Sequence, residues 1–427
     1  MRVLISGASI AGPVLAYWLE SYGFTVTVVE RSPTLRKTGG HAVDLFKPAM
    51  DIAERMGLID AVLAKRTGTE RLGFRLEGSD RRHELNVGRL LSAVSDRHVE
   101  IMRDDLSEIF YDATRERVEY AFGDSIAALS EDDGGVDVSF EHAPERRFDL
   151  VIGADGLHSN VRRLVFGPES EFATWIGGYL AVISLPNYLG LRDRTEGITG
   201  VNRIAAVYSA AHLDDARAVF LLRTTQPLDY HYRDVARQKQ LLREAFAGMG
   251  WEVPRLLSEL DRTPAFYFDS ITQLRMDTWS RGRVSLVGDA GYCPGPAVGG
   301  STSLAVVGAY MLAGELAAAG GDHTRAFPAY EREIGEYVRR SRAFAMGAVK
   351  QLIPSSRRGL WAIVAVSRFV NHTPLWLSRA LSKLSNSGVR LHDSVRLKAE
   401  ERSKVVGHEI GDAVGVDRAI HLDHPNP

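Results

Sequence analysis

Three segments carry residues whose types and spacing could do chemistry. Gly7-Ala8-Ser9-Ile10-Ala11-Gly12 lies between an apolar run and a helix-like stretch, where a dinucleotide pyrophosphate would meet free helix N–H groups and the positive dipole end. Gly7 permits a tight turn, Gly12 lets helix and strand approach closely, and Pro13 suits a first helical turn because the N–H it lacks has no intrahelical acceptor there. Ser9 stands where such turns usually have a second glycine, so a pyrophosphate must tolerate its side chain or use its hydroxyl. Glu30 follows close to the ~20-residue offset at which an acid takes ribose hydroxyls. A glycine turn alone also fits an ordinary α/β protein. Strand, helix, Pro13 and Glu30 in register favour the nucleotide, and the absence of any Tyr-x-x-x-Lys pair weakens a short-chain dehydrogenase.

The second segment sets Asp155-Gly156 after the apolar run Leu150-Val151-Ile152 and continues to Ser159 and Arg162. In the third, Gly288-Asp289-Ala290 follows Val284-Ser285-Leu286-Val287. It continues through a Pro/Gly loop to Gly299-Gly300-Ser301, so that an acid at the end of a strand meets a loop and then a helix start.

The elements that must position these segments alternate. Residues 3–5, 13–22 and 25–29 read as a βαβ unit, 106–113 as a helix, and 118–141 as a small antiparallel ribbon. Over 172–275, strand-like runs such as 180–183 and 218–222 surround a helix at 234–249, as in a separate α+β lobe. A buried parallel strand at 284–287, a long helix at 303–316 and a helical tail from residue 326 complete the chain. A nucleotide domain interrupted by a substrate lobe is the simplest arrangement.

At 427 residues and 47.0 kDa the chain exceeds one small domain. Its 25% charged and 45% hydrophobic residues match soluble globular usage. Lys+Arg at 52 against Asp+Glu at 54 argue against a nucleic-acid partner, which needs concentrated positive charge. Cys293 is the single cysteine, so neither an intramolecular disulfide nor a Cys-rich zinc site can form, and no metal is expected. Met1-Arg2-Val3-Leu4-Ile5 reads as a strand without signal-peptide features, and a cytoplasmic location is expected. The apolar stretch 360–370 is interrupted by Arg368 and falls short of the ~20 residues of a membrane span, so no transmembrane helix is expected.

In this order and at these separations, the glycine turn with Glu30, the Asp155-Gly156 segment and the Gly288-Asp289 segment resemble the group A flavoprotein monooxygenases, the para-hydroxybenzoate hydroxylase family. The likeness covers residues 1–350 and is greatest to the branch of actinobacterial aromatic-polyketide hydroxylases and tetracycline-modifying monooxygenases. It implies an α/β fold with a Rossmann-like (GR2-type) FAD-binding domain over 1–70, 96–168 and 281–350. An α+β substrate domain over 71–95 and 169–280 is inserted, and a C-terminal helical segment and tail occupy 351–427.

The resemblance further implies that Gly7, Ser9, Ile10, Ala11 and Gly12 hold the FAD pyrophosphate, and Glu30 the adenosine ribose with Arg31 beside it. Arg103 would lie near the ribityl and phosphate region, Asp155 would serve FAD and NADPH, and Asp289 would hold the ribityl chain. The loop with Gly299, Gly300 and Ser301 would offer backbone donors to the negative charge of reduced flavin. NADPH or NADH would supply hydride, O2 would add to flavin C4a as a hydroperoxide, and the hydroxyl would pass to an aromatic or polycyclic, polyketide-like substrate with water excluded. No side chain stands out as general base, and a monomer or homodimer is expected. Alternatives are a flavin-dependent reductase or dehydrogenase of the same fold without oxygen insertion, and a dinucleotide-binding sensor; the Trp-x-Trp-x-Ile-Pro signature of halogenases is absent.

Several residues depart from the pattern or invite a plainer reading. Tyr292 replaces a frequent His, Ser301 and Ser303 replace a frequent Gly and Asn, and Phe46-Lys47 occupies the place of an expected arginine, for which Arg36 or Lys37 could substitute. His158 and Cys293 read as structural, and His421 and His424 as terminal. Trp175, Asn202, Arg203, Tyr208, Tyr267 and Gln273 could shape an aromatic pocket, with core packing the better reading for each. Segment 357–383 mixes aromatic, leucine and arginine residues; a helix packed across both lobes is expected in preference to one resting on a membrane surface.

Overall fold

Consecutive apolar residues suit strands covered on both faces, and the runs Val3-Leu4-Ile5 and Leu150-Val151-Ile152 lie fully buried at the centre of a six-stranded sheet. The computed structural model describes residues 1–35, 40–88, 97–296, 300–373 and 397. The described residues up to 373 belong to one compact unit. Arg36, Lys37, Gly299, Trp376, Leu377, Arg379, Lys383, His421 and His424 lie outside the described residues.

The six-stranded sheet runs in the order Ser280–Arg281, Val284–Leu286, Leu150–Gly153, Arg2–Ser6, Thr25–Glu30, Glu119–Phe122. All neighbours are parallel except the edge pair Ser280–Arg281 with Val284–Leu286. The helix Ala11–Ser21 joins Arg2–Ser6 to its parallel neighbour Thr25–Glu30 as the sequence predicts. The ribbon expected at 118–141 divides instead: Glu119–Phe122 extends the parallel sheet, while Ile126–Asp132, Gly135–Phe140 and Arg146–Phe148 form an antiparallel trio. Side chains account for the difference. Thr27 Oγ1 donates to Glu119 at 2.9 Å, which fastens the strand to its parallel neighbour, while Arg146 of the antiparallel trio forks both Glu119 oxygens at 2.8 Å and ties the trio to the sheet edge.

A seven-stranded sheet has the order Phe266–Leu274, Ala173–Pro186, Asp215–Arg223, Arg203–Ser209, Arg194–Gly200, Arg71–Leu76, Arg82–Asn86. Alternate side chains of a strand point to opposite faces, and Ala173–Pro186 uses both. Tyr179, Ala181, Ile183 and Leu185 join a core with Leu242 and Phe246 of helix Val235–Phe246, whereas Leu180 and Val182 meet Ile353.

Helix Ser301–Ala318 is long and apolar enough to cross a membrane by length and composition, yet most of it is buried against Ala11–Ser21 and His323–Leu352. Apolar on all sides, it is a core helix. Helix His323–Leu352 follows it and reaches the seven-stranded sheet, where Ala345 and Val349 pack with Ile271. The bridging role expected of segment 357–383 thus falls to His323–Leu352. Helix Arg357–His372 instead covers two strands of the larger sheet, with Leu360 and Val364 on Phe74 and Leu76 and with Asn371 bonded to Asn86 N and Glu84 O.

Gly7 joins the first strand to the glycine turn at φ +110°, and a Cβ there would lie 2.5 Å from the Ala154 carbonyl oxygen. Gly7→Ala is expected to cost about 2–4 kcal/mol, from left-handed strain plus overpacking against backbone. Urea unfolding measures this, and an unchanged midpoint would contradict it.

Candidate active site

The glycine turn is braced from two sides. Gly7 N donates to Val29 O at 2.8 Å, and the Glu30 carboxylate accepts from Ala8 N at 2.9 Å and from Ser32 N at 2.8 Å. Ser9 Oγ accepts from Arg103 Nη2 at 3.0 Å, and its carbonyl accepts from Ser107 Oγ at 3.0 Å. The side chain that departs from the usual glycine is therefore the seat of the arginine. A Cβ on Gly12 would collide with the Gly7 carbonyl, so helix and turn fit only without one.

Gly7, Ser9, Glu30, Arg31, Arg103 and Asp155 line one trough. Through Ser9, Arg31, Arg103, Asp155, Gly156 and His158 it continues into a wider cleft, which Ile10, Ala11, Asp289, Gly300 and Ser301 also line. The structure thus brings together the expected residues that are described; Gly12 packs behind the turn rather than lining the trough.

The acids differ in how they are held. Asp155 is half-buried, and its desolvation raises the pKa above the ordinary carboxylate value against hydrogen bonds from Ser159 Oγ and from the N–H groups of Val161 and Asn160. Its carboxylate is thereby committed to the start of helix Asn160–Val165, on the wall of the trough. Asp289 opens the short helix Asp289–Tyr292 and accepts from Ser301 Oγ at 2.6 Å, after Gly300 has turned the chain at φ +84°. Ser303 Oγ accepts from Phe46 N at 2.9 Å and donates to Asp44 O at 3.0 Å, so it stitches helix Ser301–Ala318 to strand Ala42–Phe46. Lys47 pairs with Asp51 at 2.6 Å. Burial, reinforced by Asp289, pushes the Cys293 thiol well above its ordinary pKa and leaves it protonated and unreactive.

The far wall of the cleft includes Phe266, Tyr267 and Phe268 from the seven-stranded sheet and Gln238 from helix Val235–Phe246. Of the six side chains considered for an aromatic pocket, Tyr267 lines it. Tyr208 instead accepts from Ala42 N, Gln273 bonds the Pro294 and Arg342 carbonyls, and Arg203 pairs with Glu77. His41 lies 5.7 Å from Tyr267, ring centre to ring centre. Burial, aided by Arg103, lowers His41 to about 4, and burial raises Tyr267 well above its ordinary value, so both are neutral at neutral pH.

His158 is the residue that sequence reasoning undervalued. Its two ring nitrogens lie 3.0 Å from Glu169 and 3.0 Å from Asp269, and its ring stacks on Tyr232 at 4.1 Å. Glu169 also pairs at 2.8 Å with Arg162, whose other bonds go to the carbonyls of Ala290 at 2.9 Å and Leu157 at 2.6 Å. No spacing rule locates Asp269, 111 residues further on, so the signal lay in the fold.

Burial alone would lower the His158 pKa, but the hydrogen bonds to Asp269 and Glu169 raise it to about 9. Since the unfolded value is ~6.5, this stabilisation is complete below that pH and is lost as pH rises through about 9. His158→Gln is expected to lose on the order of 2–3 kcal/mol below neutrality, with the two unfolding free energies converging at alkaline pH. A pH-independent difference would contradict this.

The FAD binding domain family model matches residues 1–351. A flavin-dependent monooxygenase of Legionella longbeachae is 38% identical over 346 residues, covering 81% of this chain and 88% of that protein. An uncharacterized protein of Mycobacterium tuberculosis is 46% identical over 340 residues, covering 79% of this chain and 91% of its own length. The crystal structure of tetracycline destructase Tet(55) superposes with a TM-score of 0.76 at 36% identity, covering 88% of this chain and 96% of that one. The fold, the ordered motifs and these matches agree: the chain belongs to the FAD binding domain family and is an FAD-dependent monooxygenase.

Proposed function

We propose that this enzyme takes electrons from NADPH or NADH and inserts one atom of O2 into an aromatic, polycyclic small molecule of the polyketide type. The observation that carries the reading is the continuity of a polar trough, from Glu30 past Arg103, with a cleft walled by Phe266, Tyr267 and Phe268. Two of the similar solved structures are tetracycline destructases, which supports a fused-ring substrate.

FAD suits the trough on this chain's own geometry. Side chains are excluded at Gly7 and Gly12, and helix Ala11–Ser21 begins without a side-chain cap, so its first N–H groups remain for a pyrophosphate. On this reading Gly7, Ser9, Ile10, Ala11 and Gly12 hold the pyrophosphate, and Glu30 with Arg31 the adenosine ribose. Arg103 and Asp289 hold the ribityl region, Asp155 supports the wall, and the turn at Gly299, Gly300 and Ser301 faces the ring system. Residues 1–70, 96–168 and 281–350 then serve the cofactor, and 71–95 and 169–280 the substrate.

When bound, the flavin accepts hydride from the nicotinamide and activates O2. The protein contributes positioning and water exclusion. Neutral Tyr267 and His41 offer hydrogen bonds in the cleft without adding charge, and the half-buried Phe266 beside them gives an aromatic substrate apolar surface.

Incubation with FAD, NADPH, oxygen-18 gas and a panel of phenolic and polyketide compounds is expected to yield a product with one labelled oxygen. Flavin reduction with no label in any product would favour the reductase instead. Arg103→Ala is expected to weaken FAD binding roughly tenfold to a hundredfold, the worth of a charged hydrogen bond. Flavin fluorescence titration measures it, and an unchanged affinity would remove Arg103 from the site.

A further inference from the structure

The near-neutral charge of the chain hides a strong local asymmetry. Residues 337–392 contain ten Lys and Arg and no Asp or Glu, in a protein whose formal charge is -2. Within that stretch, helix Arg357–His372 turns Leu360, Val364 and Ser367 inward. Its outer side carries Trp361 at 65% exposure, Val366 at 55% and Phe369 at 54%, interleaved with exposed Arg357, Arg358 and Arg368. Met346 and Leu352, at the end of the preceding helix, are exposed as well, so five of the seven large exposed apolar side chains among the described residues fall within 346–369. Apolar exposure concentrated in this way marks an interaction surface.

We propose that the outer face of helix Arg357–His372 seats on an anionic lipid bilayer. The arginines would lie at the level of the headgroup phosphates, and Trp361, Val366 and Phe369 would enter the boundary with the acyl chains. Interfacial helices combine these two kinds of residue because arginine snorkels to phosphate while indole and phenyl rings favour the headgroup boundary. Charge selects this occupant over the others. A second copy across a two-fold axis would set the arginines of one face against those of the other. Residues 393–427 hold seven Asp and Glu against five Lys and Arg, too nearly balanced to match the face. A polynucleotide would answer the arginines and leave Trp361, Val366 and Phe369 in water.

Co-sedimentation of the full chain with vesicles tests this. Binding is expected to vesicles of phosphatidylcholine mixed with phosphatidylglycerol, to be about tenfold or more weaker on phosphatidylcholine alone, and to fall as salt rises. Two variants, Arg357→Gln/Arg358→Gln/Arg368→Gln and Trp361→Ser/Phe369→Ser, are each expected to lower binding about tenfold or more. FAD affinity should stay unchanged in both, which confirms folding. Failure of the full chain to bind anionic vesicles at low salt would overturn the proposal, and so would binding that neither variant alters. Loss in the arginine variant alone would also overturn it, since it marks a basic surface without insertion.

Discussion

A guanidinium withdrawn from water must be met by oxygen atoms, and Arg162, at 1% exposure, is where this requirement organises the molecule. Its terminal nitrogens take one carbonyl from the Gly288-Asp289-Ala290 loop, one from the Asp155-Gly156 segment, and the carboxylate of Glu169. From Glu169 the alternation of charge passes to His158 and on to Asp269 in the seven-stranded sheet. Burial depresses the Arg162 pKa, while Glu169 and Asp155 oppose it. Two motif loops and the wall of the cleft are thereby held in one register by four charges: removing Glu169 leaves the buried Arg162 guanidinium without its counter-charge, and removing His158 does the same to the buried Asp269.

Polarity changes along the site in the order the chemistry needs. At the Glu30 end, backbone N–H groups and arginines gather where phosphates and ribose belong. At the Asp289 end the groups are neutral or already paired: Cys293 keeps its proton, Tyr267 and His41 carry no charge at neutral pH, and the Asp289 carboxylate accepts from Ser301. On the proposed reading, such a lining sets no unpaired charge beside the reacting ring.

The parts legible in the sequence are those fixed by local pattern. The βαβ unit with Glu30 and the buried strands at Leu150–Gly153 and Val284–Leu286 follow from glycine chemistry and apolar runs, whereas the expectation that Arg103 and Asp289 join them at the site came from the family resemblance. Long-range pairing was not legible. Glu119–Phe122 has the alternation of a ribbon strand, and only its pairing with Thr25–Glu30, with Thr27 bonded to Glu119, shows that it joins the parallel sheet. His158 lay in plain view within a motif, but its carboxylates sit on separate elements. Ser303 looked like a substitution in the flavin loop, whereas its hydroxyl closes the gap to Asp44 and Phe46. Each miss concerns a side chain whose partner is distant in sequence.

The central claim is that one uninterrupted channel, from the glycine turn to the start of helix Ser301–Ala318, is the FAD site. A crystal structure of the FAD complex tests it most directly. The account predicts the adenosine ribose hydrogen-bonded to Glu30, the pyrophosphate over the first turn of Ala11–Ser21, and the ring system between Ser301 and the wall of Tyr267. Adenosine bound elsewhere, or a flavin ring outside the cleft shared by Asp289 and Phe268, would contradict it.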